Sequence, residues 1–343
     1  MKSATLRLTT GVDLAYTDTG APENYPYITI FAVHGIIFSN LVFKRVQSVA
    51  LSKGFRFVAI SRRGFPGSTP YKPEEINTII NAEEPAENRY AFMEARGHEI
   101  ASFIDIFASK FGLPISKDKI SGSILLGWSQ GAQYVSAAIA FAPTLPSDVR
   151  IRLRAHIRSV VFYEPPPVTF GLPNAEKNWM PIFDVTIPEA PRIQMVAQWI
   201  TAYFNHGDLT KRDPNALEYV VPATDKSPSI FNNAQADMEG LECYTQDACL
   251  DVPLFAFADQ FKAIYRKAIG CAEVMQLFPD LKIAFVVGER SPSFAWVGLW
   301  AVQDDQKEIG STKIIHYKVI PGANHLIHWD NPDKALEVFT SKL

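Results

Sequence analysis

The chain has 343 residues, 47% of them hydrophobic, which is enough to bury a large core in one α/β domain carrying an insertion. Its net charge of -3 offers no basic field to nucleic acid or an anionic membrane, and no apolar run approaches membrane-spanning length. Three cysteines (Cys243, Cys249, Cys271) are odd in number and lack metal-ligand spacing, which fits a reducing compartment. No signal-peptide core follows the N-terminus, so a soluble intracellular protein is expected.

Residues 4–20 alternate as an antiparallel hairpin turning near Thr10-Gly11. Residues 27–33, YITIFAV, form a continuous apolar run of the kind a strand covered on both faces shows, and it ends in His34-Gly35-Ile36-Ile37. The next strand, 55–60, leads into Arg62-Arg63-Gly64-Phe65-Pro66-Gly67-Ser68, a loop dense in turn formers. Helical spacing of apolar residues over 88–112 precedes a short apolar run at Ile124-Leu125-Leu126. That run feeds Gly127-Trp128-Ser129-Gln130-Gly131 and then a small-residue helix, Ala132 to Ala140. Further buried strands are predicted at 159–163, closed by Glu164-Pro165-Pro166-Pro167, and at 281–287, closed by Gly288-Glu289-Arg290-Ser291-Pro292. The last, 314–320, runs into Pro321-Gly322-Ala323-Asn324-His325. Strands alternating with helices predict an eight-stranded, mostly parallel sheet with helices on both faces.

Between Pro167 and about Gly270 the pattern changes to clustered prolines and helical segments at 189–204, 228–243 and 252–269. This reads as a helical lid, dividing the chain into a core of residues 1–166, a lid of 167–270 and a second core part of 271–343. The C-terminal Ser341-Lys342-Leu343 matches the peroxisomal S-K-L address, read by an import receptor, and residues 330–340 read as a terminal helix that would leave it exposed. Peroxisomal localisation and a eukaryotic source are therefore expected.

Strand, G-x-S-x-G, helix is the context of a nucleophile elbow. Residues two before and two after the serine must be small because the turn is sharp, and the following helix aims its N-terminus at the serine. Together with His34-Gly35, Arg63-Gly64-Phe65 and Gly322-Ala323-Asn324-His325 in this order, the chain resembles the α/β-hydrolase superfamily from about residue 10 to 340. With the S-K-L ending it is similar to fungal peroxisomal serine hydrolases, esterase- or lipase-like, of secondary-metabolite pathways. The resemblance implies Ser129 as nucleophile and His325 as its base, with His328 the runner-up for the base and His34 supporting its loop.

The resemblance departs from its usual pattern at the acid. Most relatives carry Asp after the seventh strand, where this chain has Ser291, so a carboxylate must come from elsewhere. Some members place it after the sixth strand in a Y-E-P-P signature, which favours Glu164, with Glu289 as the alternative. The oxyanion hole would use the backbone N–H groups of Gln130 and Ile36, and Phe38 and Trp128 are candidates to line the pocket. Serine rather than aspartate at the nucleophile argues against epoxide opening and halide displacement. No metal, dinucleotide or nucleotide motif is present, so no cofactor is implied. The expected function is hydrolysis of an ester or thioester of a hydrophobic small molecule through an acyl-enzyme. Acyl transfer, a lyase or cyclase step, and a non-catalytic binding protein are the rivals.

Overall fold

A computed structural model describes residues 2–117, 120–232, 240–310 and 313–341. Its eight strands are β1 (Lys2–Arg7), β2 (Asp13–Asp18), β3 (Ile28–Val33), β4 (Phe55–Ile60), β5 (Gly122–Trp128), β6 (Ile157–Tyr163), β7 (Lys282–Gly288) and β8 (Ile315–Ile320). They form one sheet in the order β1-β2-β4-β3-β5-β6-β7-β8. The β1–β2 and β2–β4 pairs are antiparallel and all others are parallel. This is the eight-stranded, mostly parallel sheet that the alternation of elements predicted.

Burial follows position in the sheet. β3 and β5 are buried at every residue because helices cover both faces, whereas the edge strands β1 and β8 keep much of their surface exposed. Helix α1 (Lys44–Ala50) follows β3, and α2 (Pro73–Ile80) and the long α3 (Ala86–Phe111) follow β4. Helix α4 (Gly131–Phe141) leaves the end of β5 and is buried at all positions, which its run of alanines, serine and glycine permits. Helix α5 (Ser147–His156) then returns the chain to β6. No helix among the described residues is long and apolar enough to cross a membrane.

In the insertion after β6, two of the three expected helices form, near 189–204 and 252–269. Its longer helices are α6 (Glu189–Ile200) and the helix Ala258–Gly270; between them the described chain runs mostly through short 3₁₀ turns and loops. The predicted helix over 228–243 is not formed at its described ends. Residues 229–231 make one 3₁₀ turn, and Glu242 lies in an antiparallel bridge with Phe38. The physical reason is pairing: Ser39 N–H donates to Leu241 O at 2.8 Å and Cys243 N–H to Ile37 O at 2.6 Å, so this segment spends its backbone groups on the loop after β3. The helix Pro332–Thr340 forms as expected and Ser341 follows it, while Lys342 and Leu343 of the peroxisomal tripeptide lie outside the described residues.

Candidate active site

Two adjacent parallel strands end in the same way. Trp128 and Tyr163 are register partners at the ends of β5 and β6, and the next residue of each, Ser129 and Glu164, has a positive φ of 54° and 58°. Non-glycine residues in that region cost on the order of 1–3 kcal/mol, so both positions are held by what surrounds them. Ser129 N–H donates to Tyr163 O at 2.8 Å, and Glu164 N–H to Val286 O at 2.8 Å, which locks each turn to the neighbouring strand. The glycines of the elbow are required sterically. A Cβ on Gly127 would lie 2.7 Å from Ala132 Cα, and one on Gly131 would lie 2.2 Å from the carbonyl oxygen of Val33.

His325 arrives on the turn after β8 and is fully buried, as is Glu164. Its Nδ1 lies 3.1 Å from Glu164 Oε2. The other carboxylate oxygen, Oε1, accepts the Ser291 hydroxyl at 2.8 Å and the Gly288 N–H. With Oε1 occupied by two donors, Oε2 is left to accept the Nδ1 proton, which puts His325 in the tautomer with a bare Nε2. That Nε2 is buried and has no partner among the described residues. Desolvation, and secondarily the neighbouring His328, push the His325 pKa well below its ordinary value, so the imidazole is neutral and able to accept a proton. Burial raises Glu164, opposed by its donors Ser291 and Gly288. Glu289, the alternative acid, sits elsewhere: its carboxylate accepts the Gly322 N–H at 2.8 Å on the exposed side of the loop.

The loop after β3 supplies the other wall. Ile37 has a φ of 54°, an unusual conformation for a β-branched residue, and Gly35, two residues before it, approaches Ser129 so closely that a Cβ there would lie 2.8 Å from Ser129 Cβ. The N–H groups of Ile36 and Gln130 have no hydrogen-bond partner among the described residues. His34 is buried and neutral, donating from Nδ1 to Gly35 O and accepting the Arg62 N–H at Nε2; it is a brace for the loop, as expected. Phe38 and Trp128 are each 1% exposed. Their rings lie 5.9 Å apart, and the indole sits 4.9 Å from the His325 ring.

Three contributors were not singled out from the sequence. The sequence shows Ser291 only as a residue unable to replace an acid, whereas its hydroxyl donates to Glu164, the candidate acid. Arg62 and Asp251 form a buried ion pair at 2.6 Å between the core and the insertion. Arg62 also donates to the carbonyls of His34 and Gly35, and Gln130 Nε2 donates to Asp251 O at 2.8 Å. The third is Tyr163, whose hydroxyl donates to His325 O. The pairing of Arg62 with a residue 189 positions away has no local signal in the sequence.

Acid sensitivity follows from the histidines. Burial depresses His34, His156, His206 and His325, and pushes His328 down to about 3. Below about pH 6.5 the unfolded chain binds protons that the native histidines refuse, so native stability falls as pH drops through that value. Glu164 and Asp251, raised by burial against hydrogen-bond donors that lower them, act in the opposite direction. Urea denaturation at pH 7.5 and 5.5 checks the sign: the midpoint is lower at pH 5.5, and an equal or higher one overturns the reading.

A family model described as "Alpha/beta hydrolase family" matches residues 30–338. No curated protein matches the sequence. Among solved structures, a thioesterase domain from the curacin biosynthetic pathway superposes with a TM-score of 0.54 at 15% identity, covering 100% of this chain and 99% of that one. A bromoperoxidase from Bacillus anthracis gives 0.54 at 15%, covering 99% and 100%. The N-acyl homoserine lactonase AidH gives 0.53 at 15%, covering 99% and 97%. At such identities the likeness speaks for the fold.

Proposed function

Starting from a chain that belongs to the alpha/beta hydrolase family, we propose that it cleaves an ester or thioester of a hydrophobic small molecule through a covalent acyl-enzyme. Ser129 Oγ attacks the carbonyl carbon while His325 Nε2 takes its proton, and Glu164 holds the Nδ1 proton and balances the imidazolium that forms. The N–H groups of Ile36 and Gln130 donate to the oxyanion. His325 then protonates the leaving alcohol or thiol, and a water deprotonated by the same Nε2 releases the acid. Apolar rings pack around the histidine: that of Phe294 lies 5.1 Å from the His325 ring, and that of Trp199 in the insertion lies 5.9 Å from Phe294.

The observation that carries this reading is His325, tied by Nδ1 to the buried Glu164 carboxylate with Nε2 left without a partner among the described residues, together with a serine on a strained elbow at the end of the strand next to the one that carries Glu164. Intact-mass analysis after a fluorophosphonate probe tests it. One phosphonyl adduct is expected on the wild type, mapping to Ser129 and absent from folded Ser129→Ala. Folded wild type that takes no adduct from probes of several chain lengths overturns the reading. With short acyl esters in ¹⁸O water, label entering the acid product supports hydrolysis; an acyl group appearing only on an added alcohol or amine moves the assignment to acyl transfer.

A further inference from the structure

We infer that Trp128 and Tyr163 are positioning residues that clamp the backbone carbonyl of His325, so that the residue before the nucleophile and the residue before the acid together aim the base. The inference rests on the roles proposed above for Ser129, His325 and Glu164.

The geometry is specific. His325 lies in a turn that belongs to no helix or strand, so nothing in the secondary structure fixes its peptide. Its carbonyl oxygen accepts two side-chain hydrogen bonds, from Trp128 Nε1 at 3.1 Å and from the Tyr163 hydroxyl at 3.1 Å. A carbonyl oxygen has two lone pairs, and both are taken. Because Trp128 and Tyr163 are register partners on adjacent parallel strands, their side chains leave the same face of the sheet and converge on one atom. The next residues, Ser129 and Glu164, place the two groups that His325 must meet. One pair of strand ends therefore fixes the histidine at its main chain and, through Glu164, at its ring.

His328 completes the arrangement. The Tyr163 hydroxyl has one proton and gives it to His325 O, so at the 3.2 Å contact with His328 Nδ1 it must accept. His328 then carries its proton on Nδ1 and leaves Nε2 bare, and Nε2 is indeed buried without a partner among the described residues. The chain His328 Nδ1–H to Tyr163 O–H to His325 C=O runs in one direction, and such chains strengthen each member. His328, the runner-up for the base, is thereby a buried proton donor to Tyr163 rather than a group facing Ser129. The indole ring closes the stack, at 4.9 Å from both imidazoles.

The test is Tyr163→Phe, which removes one hydroxyl at constant shape, and Trp128→Phe, assayed on a p-nitrophenyl acyl ester with melting curves alongside. Misplacing a base by a fraction of an ångström costs catalysis without touching substrate affinity, so kcat should fall roughly 10- to 100-fold in each variant. KM should stay within twofold, and Tyr163→Phe should melt close to the wild type. The low-field Nδ1 proton resonance of His325, expected in wild-type spectra and lost in Glu164→Gln, should broaden or shift in both variants. An active wild type with kcat within twofold in Tyr163→Phe and an unmoved resonance overturns the clamp and leaves the hydrolase reading standing. A wild type unlabelled by fluorophosphonate overturns the hydrolase reading first.

Discussion

Glu164→Gln should lower kcat roughly 10⁴-fold with KM little changed, a loss of the size seen when a triad carboxylate becomes an amide. The reasoning is about a proton's address. In the native site Oε1 accepts from Gly288 N–H and the Ser291 hydroxyl, and Oε2 accepts from His325 Nδ1. A glutamine has one oxygen and one NH2 group to distribute over these positions. Gly288 can only donate, so the amide oxygen must stay on its side and the NH2 must face Nδ1. Nδ1 is then forced to accept, the ring proton moves to Nε2, and Nε2 can no longer take a proton from Ser129. The fold should survive because the substitution is nearly isosteric and the Gly288 bond is kept.

The control is Glu289→Gln, whose carboxylate accepts an exposed backbone N–H from Gly322 and whose loss should leave kcat within twofold. Steady-state rates on one acyl ester, with circular dichroism to confirm folding, separate the two. Glu164→Gln retaining more than a tenth of wild-type kcat, or Glu289→Gln losing more than nine tenths of it, removes Glu164 from the acid's role.

The sequence was most informative where chemistry and local geometry coincide. The strand-glycine-serine-glycine-helix run around Ser129 predicts a tight elbow, and its two glycines meet backbone atoms at distances that admit no Cβ. The apolar runs from β3 to β7 read directly as strands because burial on both faces removes the alternation that would confuse them. In the insertion the helical spacing at 189–204 and 252–269 was legible, and helices Glu189–Ile200 and Ala258–Gly270 form there, but the course of the chain at the described ends of 228–243 was not. Apolar spacing over 228–243 resembles a helix, but Leu241 and Cys243 pair with the loop after β3, and that competition is decided by tertiary contacts. Phe38 and Trp128 show the same limit within the site. Aromatic residues beside an elbow suggest a pocket, but only the fold shows that the Trp128 ring packs on His325 and that its indole N–H donates to the His325 carbonyl. Ser291 was legible as a missing acid but not as the acid's hydrogen-bond donor, because that role depends on Glu164 arriving from another strand.

Arg62→Met should cost about 3–5 kcal/mol of stability, the usual penalty for leaving one charge of a buried pair uncompensated. Arg62 and Asp251 are both buried, and the guanidinium makes two bonds to the carboxylate, at 2.9 and 2.6 Å. Burial raises Asp251 and the Arg62 charge lowers it, so removing Arg62 leaves a carboxylate with only the Tyr134 hydroxyl at 3.4 Å to offset its desolvation. Replacing both partners by apolar residues removes that penalty, so Arg62→Met combined with Asp251→Leu should recover most of the lost stability. Activity should not return with it. Arg62 also donates to the His34 and Gly35 carbonyls, the peptides that lead into Ile36, and methionine donates nothing. The double variant should therefore fold nearly as well as the wild type yet turn over roughly tenfold more slowly, as expected when an oxyanion donor is held less accurately. Urea midpoints and kcat measured on the same three proteins decide it. A single variant within 1 kcal/mol of wild type denies that the pair is a desolvated latch. A double variant at full kcat denies that the latch reaches the oxyanion loop, and Arg62 is then only a fastening between the sheet and its insertion.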